Sequence, residues 1–183
     1  MRLLLRFFIV FAGRKLFTLT LKKFCFKESD NFITFNYTKT LERIYGISSE
    51  RVLHFHGIFN SNQDIDIGFK ENNCHKYEVD TEGYIYEENA KSQFNSALRQ
   101  LIKDTKSILE REKRKILTLL NAVNEIQLIG FSYSEIDFDY IKFIRDNISS
   151  DVNWIFNFHN TKDLAAALDY AKRLCLTPIY KRS

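Results

Sequence analysis

Short apolar runs punctuate the chain: "FITF" at 32–35, "VLHF" at 52–55, "IQLI" at 126–129 and "VNWIFNF" at 152–158. Each is rich in β-branched or aromatic residues, and the shorter ones carry little polar alternation. That pattern predicts strands buried on both faces, as in a parallel sheet. Between the runs the apolar spacing becomes helical. Thr38 can cap a helix over 38–45 that Gly46 stops. A long helix is predicted over 89–123, with Phe94, Leu98, Leu101 and Ile102 on one face and Ile116, Leu119, Leu120 and Val123 continuing it. A further helix over 135–147 carries Ile136, Tyr140, Phe143 and Ile144, and Ser132 with Glu135 matches a capping box at its start. The last, over 162–174, is followed by the lone Pro178.

Strands alternating with helices predict an α/β fold, Rossmann-like, with a mostly parallel sheet flanked by helices. Residues 1–183 read as a single domain, and a polar stretch over 60–88 reads as an insertion within it. The amino-terminal "MRLLLRFFIVFAG" is basic and apolar, but Arg6 interrupts the run and no small-x-small cleavage site follows. It is shorter than the roughly 20 apolar residues that span a bilayer. The expectation is a buried or partly buried helix; a membrane-surface or targeting segment is the alternative.

Composition adds little to this picture. The hydrophobic share of 45% and charged share of 27% are those of a globular protein, and the single Pro and six Gly leave little material for flexible linkers. The seventeen Phe predict an aromatic core. A net charge of +4 is small, and the basic run "REKRK" at 111–115 reads as a solvated helix face with no nucleic-acid motif beside it. Cys25, Cys74 and Cys175 are far apart and form no CxxC pair, so a reducing cytoplasm is the simplest home.

Candidate chemistry follows from where ligands bind in open α/β sheets, just beyond the carboxyl ends of the strands. The first of these runs delivers Asn36 there, the second His56 and Gly57, the third Gly130 and Ser132. An amide can hold a hydroxyl or a water without bearing charge, and an imidazole can take a proton at neutral pH. Gly57 and Gly130 would let backbone approach a ligand, and a helix start after Ser132 could favour a phosphate. Plainer roles stand beside these: Asn36 as a turn residue, His56 as a buried histidine bonded to backbone. His54 reads as structural rather than as half of a metal pair, and His75 beside Cys74 and His159 at a strand end are weak signals. Asp137 and Asp139 suit the start of a helix as carboxylates there generally do. Ser132 sits in "GFSYS" and lacks the setting of a hydrolase nucleophile.

"FNYTKTLERIY", "HFHG" and "IQLIGFSYSEIDFDYIKFI", in that order, resemble the bacteriophage abortive infection AbiH family over roughly residues 30–160. That family is similar to sirtuin-like domains, whose Thr-x-Asn and His-Gly pattern is matched by Thr34, Asn36, His56 and Gly57. The resemblance implies a cytoplasmic phage-defence protein that hydrolyses NAD or a related nucleotide. In it Asn36 and His56 are catalytic, while Thr34, Gly57, Gly130 and Ser132 bind the nucleotide. It implies NAD as substrate rather than as a tightly held cofactor, and no metal. The alternatives are a nucleotide- or partner-sensing module without turnover and an inactive fragment of a longer defence protein. Family members open with a Gly-Asn-Gly-Phe-Asp type segment, which does not precede Phe32 here. The expectation is therefore an incomplete first βα unit, a chain truncated at its amino terminus, and an exposed sheet edge that could pair with a second copy.

Overall fold

The computed structural model describes residues 6–10, 26–61, 65–68, 93, 96, 97, 99, 101–133 and 135–182. Its strands are β1 (Arg6–Val10), β2 (Asn31–Thr34), β3 (Val52–His54), β4 (Glu125–Ile129), β5 (Asn153–Phe158) and β6 (Ile179–Arg182). They form one 6-stranded sheet in the order β3-β2-β1-β4-β5-β6, and every neighbouring pair is parallel. Counting outward from β1, the strand order runs one way through β2 and β3 and the other way through β4, β5 and β6. This is the doubly wound order whose reversal opens a crevice at the carboxyl ends of the two central strands.

The helices are α1 (Thr40–Tyr45), α2 (Thr105–Leu119), α3 (Phe138–Asp146) and α4 (Thr161–Arg173), with 3-10 turns at Ser49–Arg51 and Glu135–Asp137. Alternation along the strands sends successive side chains to opposite faces. Ile9, Ile33, Leu53, Ile126, Leu128, Trp154 and Phe156 meet α2, α3 and α4 in one cluster, with Tyr140, Ile144, Tyr170 and Leu174 at its centre. Phe32, Val52 and Ile129 turn the other way and pack with Leu41 and Ile47.

The amino-terminal run overturns one expectation. Its described residues are not helical; Arg6–Val10 forms β1, a central strand, with Ile9 fully buried opposite Ile33 on one side and Leu128 on the other. The strand of the first βα unit is thus present, and β2 is an interior strand rather than an open edge. Residues 11–25, including Gly13, lie outside the described residues, as do Phe94, Leu98, His75 and most of the polar insertion. The long predicted helix is also interrupted. Residues 93, 96, 97 and 99 are helical, but a new start follows, where Asp104 caps α2 by accepting a bond from the Ser107 backbone N–H at 3.1 Å.

Helix ends follow the sequence only in part: α1 starts at Thr40 after Lys39 with no side-chain cap, so Thr38 does not cap it, and Ser132 with Glu135 forms no capping box, α3 starting after Asp137 with no side-chain cap. Gly46 takes the left-handed conformation (φ 66°) that ends α1, and Asn160 accepts from the Asp163 N–H to open α4. The basic run of α2 is a solvated face, as expected, with Arg111, Lys113, Arg114 and Lys115 all exposed. Arg111 pairs with Asp66 and Glu112, Lys113 with Glu110, and Lys115 reaches the Val52 carbonyl on edge strand β3. A lysine on an edge carbonyl obstructs strand addition there. Among the described residues no helix is long and apolar enough to cross a membrane.

Burial pushes the phenols of Tyr133, Tyr140 and Tyr170 far above the ordinary tyrosine range. Above the usual tyrosine value near 10 the unfolded chain has lost these protons while the folded chain keeps them. Their contribution is therefore complete below about pH 10 and falls by about 1.4 kcal/mol per pH unit for each phenol as pH rises further. Alkaline titration should show these tyrosines ionising together with loss of near-UV circular dichroism. Their ionisation within a still-folded protein would contradict this account of the core.

Candidate functional site

β2 and β3 are adjacent and parallel, so the residues leaving them emerge at one edge, as the sequence predicts. Thr34 is buried, and its hydroxyl accepts the Asn36 N–H at 3.2 Å, which bends the chain as it leaves β2. Asn36 is half-buried, and its carbonyl accepts from His54 Nδ1 at 3.2 Å. His54 Nε2 meets the Glu42 carboxylate of α1 at 2.8 Å, with the histidine side chain 5% exposed. A carbonyl and a carboxylate, both acceptors, thus fix His54 between the two strand ends and the helix that joins them. This is a structural role.

His56 goes elsewhere. The chain turns after β3, with the Gly57 N–H closing on the His54 carbonyl at 3.3 Å and Gly57 at φ 81°. The turn carries His56 away from α1 and into the α2–α3 side, where it is 3% exposed. Its ring stands among Phe35, Tyr37, Phe55 and Tyr140, with centroids 5.4 to 6.1 Å away. Phe35 and Tyr37 thus bring the end of β2 against His56, whereas Asn36 between them is placed by backbone contacts to Thr34 and His54.

Charged groups approach the ring from two later segments. Asp137, buried at 2% exposure, places Oδ1 3.5 Å from His56 Nε2. Lys103 places Nζ 3.1 Å from the same nitrogen. His56 Nδ1 and Asp137 Oδ1 are buried with no hydrogen-bond partner. Burial lowers the Lys103 ammonium from the usual lysine range, and the charges of Asp137 and Asp66 oppose that shift. The Tyr37 phenol is raised, first by burial and then by the same two carboxylates. Its hydroxyl donates to the Asp66 carbonyl at 3.1 Å, while the Asp66 N–H donates to the His56 carbonyl at 3.0 Å.

Two stretches distant in sequence, 65–68 and 101–103, meet at this site. Gly68 (φ 156°) lies so close to the second stretch that a Cβ there would stand 2.3 Å from the Leu101 carbonyl oxygen and 3.3 Å from the Lys103 nitrogen. Glycine is required by that approach. It holds Asp66 and Lys103 on neighbouring stretches of backbone over His56.

Gly130 and Ser132 do not join β2 and β3 directly, because β1 lies between β2 and β4. Gly130 is half-buried at φ 62°, and Ser132 is exposed. From the chain after β4 it is Asp137 and Tyr140 that reach His56. Asp137 was expected to serve the start of its helix. It occupies the cap position of α3 but makes no side-chain capping bond, and its carboxylate faces the histidine instead. Glu135, three residues after Ser132, holds Arg173 of α4. Lys103 carried no signal in the sequence, since only the break before α2 aims it inward. A cavity of about 510 Å³ lies on the other side of β3, lined by residues including Lys39, Glu42, His54, Gly57, Arg111 and Lys115. Among the described residues no three metal-ligating side chains gather.

The fold and its strand-end polar cluster define a doubly wound α/β protein with a buried histidine at the carboxyl edge of the sheet. The chain belongs to the bacteriophage abortive infection AbiH family, whose model matches residues 6–158. Membership supports a role in abortive infection of bacteriophage. No curated protein and no solved structure matches the chain.

Replacing Glu42 by Ala leaves a buried His54 nitrogen without its acceptor. The expected loss is about 1–3 kcal/mol of unfolding free energy in urea. Gly68→Ala must push the 101–103 segment off the site, at a cost of about 1–3 kcal/mol. A wild-type urea midpoint for either variant would show that these contacts are idle.

Proposed function

We propose that this AbiH protein defends against phage in the cytoplasm by hydrolysing the nicotinamide–ribose bond of NAD or of a related nucleotide. The observation that carries the reading is His56, a buried imidazole beside Asp137, where the turn after β3 leaves a parallel sheet. In the reaction a water oxygen bonds to the anomeric carbon as the carbon–nitrogen bond breaks. The bonding pair leaves with nicotinamide, and the water proton passes to the imidazole. Asn36 holds a ribose hydroxyl or the water through its amide, which orients without adding charge. Thr34 fixes the Asn36 backbone. Gly57, Gly130 and Ser132 line the approach of the nucleotide.

A second reading is favoured by one observation. In this conformation Nε2 is covered by Lys103, and Nδ1 is buried without a partner. A module that binds a nucleotide and signals without turnover would need no open base.

Purified chain incubated with NAD should release nicotinamide, and Asn36→Ala or His56→Ala should slow the release by about 10²–10⁴-fold with circular dichroism unchanged. Folded variants that match the wild-type rate would remove both residues from the chemistry. Calorimetric binding of ADP-ribose with no nicotinamide release would establish the sensing module instead.

A further inference from the structure

Lys103 stands directly before Asp104, the cap of α2, and its ammonium lies 3.1 Å from His56 Nε2. An ammonium has donors and no acceptor, so with Lys103 charged this contact puts an unprotonated Nε2 toward it, against the pull of the Asp137 carboxylate 3.5 Å from the same nitrogen. The ring proton then sits on Nδ1, the buried atom that lacks a partner. While Lys103 remains in place, Nε2 cannot take a proton from water or a ribose hydroxyl. The base that the proposed reaction needs is stoppered by the protein's own cation.

The ammonium is held at the imidazole by one bond and, through space, by the charges of Asp137 and Asp66. A charge-assisted bond from an ammonium to a phosphate oxygen is stronger than one to a neutral imidazole. Lysine's flexible four-carbon stem lets its ammonium move without a change of backbone. The neighbouring guanidinium is already engaged, since Arg111 binds Asp66 at 2.5 Å and Glu112 at 2.8 Å.

We propose that Lys103 is the specificity-determining residue of this site: a phosphate or pyrophosphate oxygen of the incoming nucleotide draws its ammonium off His56 Nε2 and frees the base. A nucleoside without phosphate leaves the base covered. The inference rests on the reading of His56 as the base, and it makes a phosphate-bearing nucleotide the substrate class.

The test uses the full chain with ¹⁵N-labelled histidine, the His56 signals being assigned by their loss in His56→Gln. The imidazole spectrum of the free protein should show His56 with a proton on Nδ1 and none on Nε2. Inorganic pyrophosphate and ADP-ribose should each shift the Nε2 resonance, whereas nicotinamide riboside should not. In Lys103→Met the free-state Nε2 signal should already be displaced, and affinity for pyrophosphate should fall about tenfold or more. Lys103→Arg, which keeps a cation at the position, should retain the pyrophosphate response. A protonated Nε2 in the free protein, an equal response to the riboside, or an undiminished response in Lys103→Met would each overturn the proposal. The outcome is separable from hydrolysis. A Lys103-dependent pyrophosphate shift without nicotinamide release would sink the hydrolase and leave the latch standing, and hydrolysis with a spectrum indifferent to pyrophosphate would do the reverse.

Discussion

Parallel pairing of β1 with both β2 and β4 is the constraint on which the architecture rests. Without Arg6–Val10, the β2–β3 pair and the β4–β5–β6 ribbon would share no strand ladder. Ile9 shows how the join is made, since its side chain is fully buried and its two strand neighbours, Ile33 and Leu128, belong to opposite halves. Because every pair is parallel, all carboxyl ends lie along one edge, and polar residues that follow the strands collect there without further instruction. The same reversal of strand order lets the chain after β4 swing back over β2 and β3, which is how Asp137 and Tyr140 come to stand beside His56.

That cluster is a problem in charge as much as in packing. A carboxylate, an ammonium and an imidazole meet among four aromatic rings, in a place where an unpaired charge is costly. The solution is mutual. Lys103 lies in the fields of Asp137 and Asp66, and Asp66 in turn binds Arg111. Each member is delivered by a different segment of chain, so their meeting depends on tertiary structure rather than on local motif.

Much of this was legible in the sequence, for identifiable reasons. "FITF", "VLHF", "IQLI" and "VNWIFNF" announced β2 to β5 because strands buried on both faces need continuous apolar residues. Asn36, His56 and Gly57 follow the ends of the adjacent parallel strands β2 and β3, a placement that the strand pattern alone makes readable. β1 escaped because "RFFIV" is embedded in a longer basic and apolar stretch that has the look of a helix or leader. β6 escaped because "IYKR" is a short edge strand whose exposed Ile179 and charged residues give no buried pattern. Asp137 was visible but misread, since an acidic residue at a helix start has an ordinary explanation. Lys103 was invisible because nothing in a single lysine says which way a break in a helix will aim it.

The close approach of Gly68 to Leu101 has an architectural consequence. Entry to and exit from residues 69–100 are pinched together at one neck on the rim of the sheet. Chain closed at such a neck contributes little to the register of the strands, and lengthening it adds only a slowly growing closure entropy.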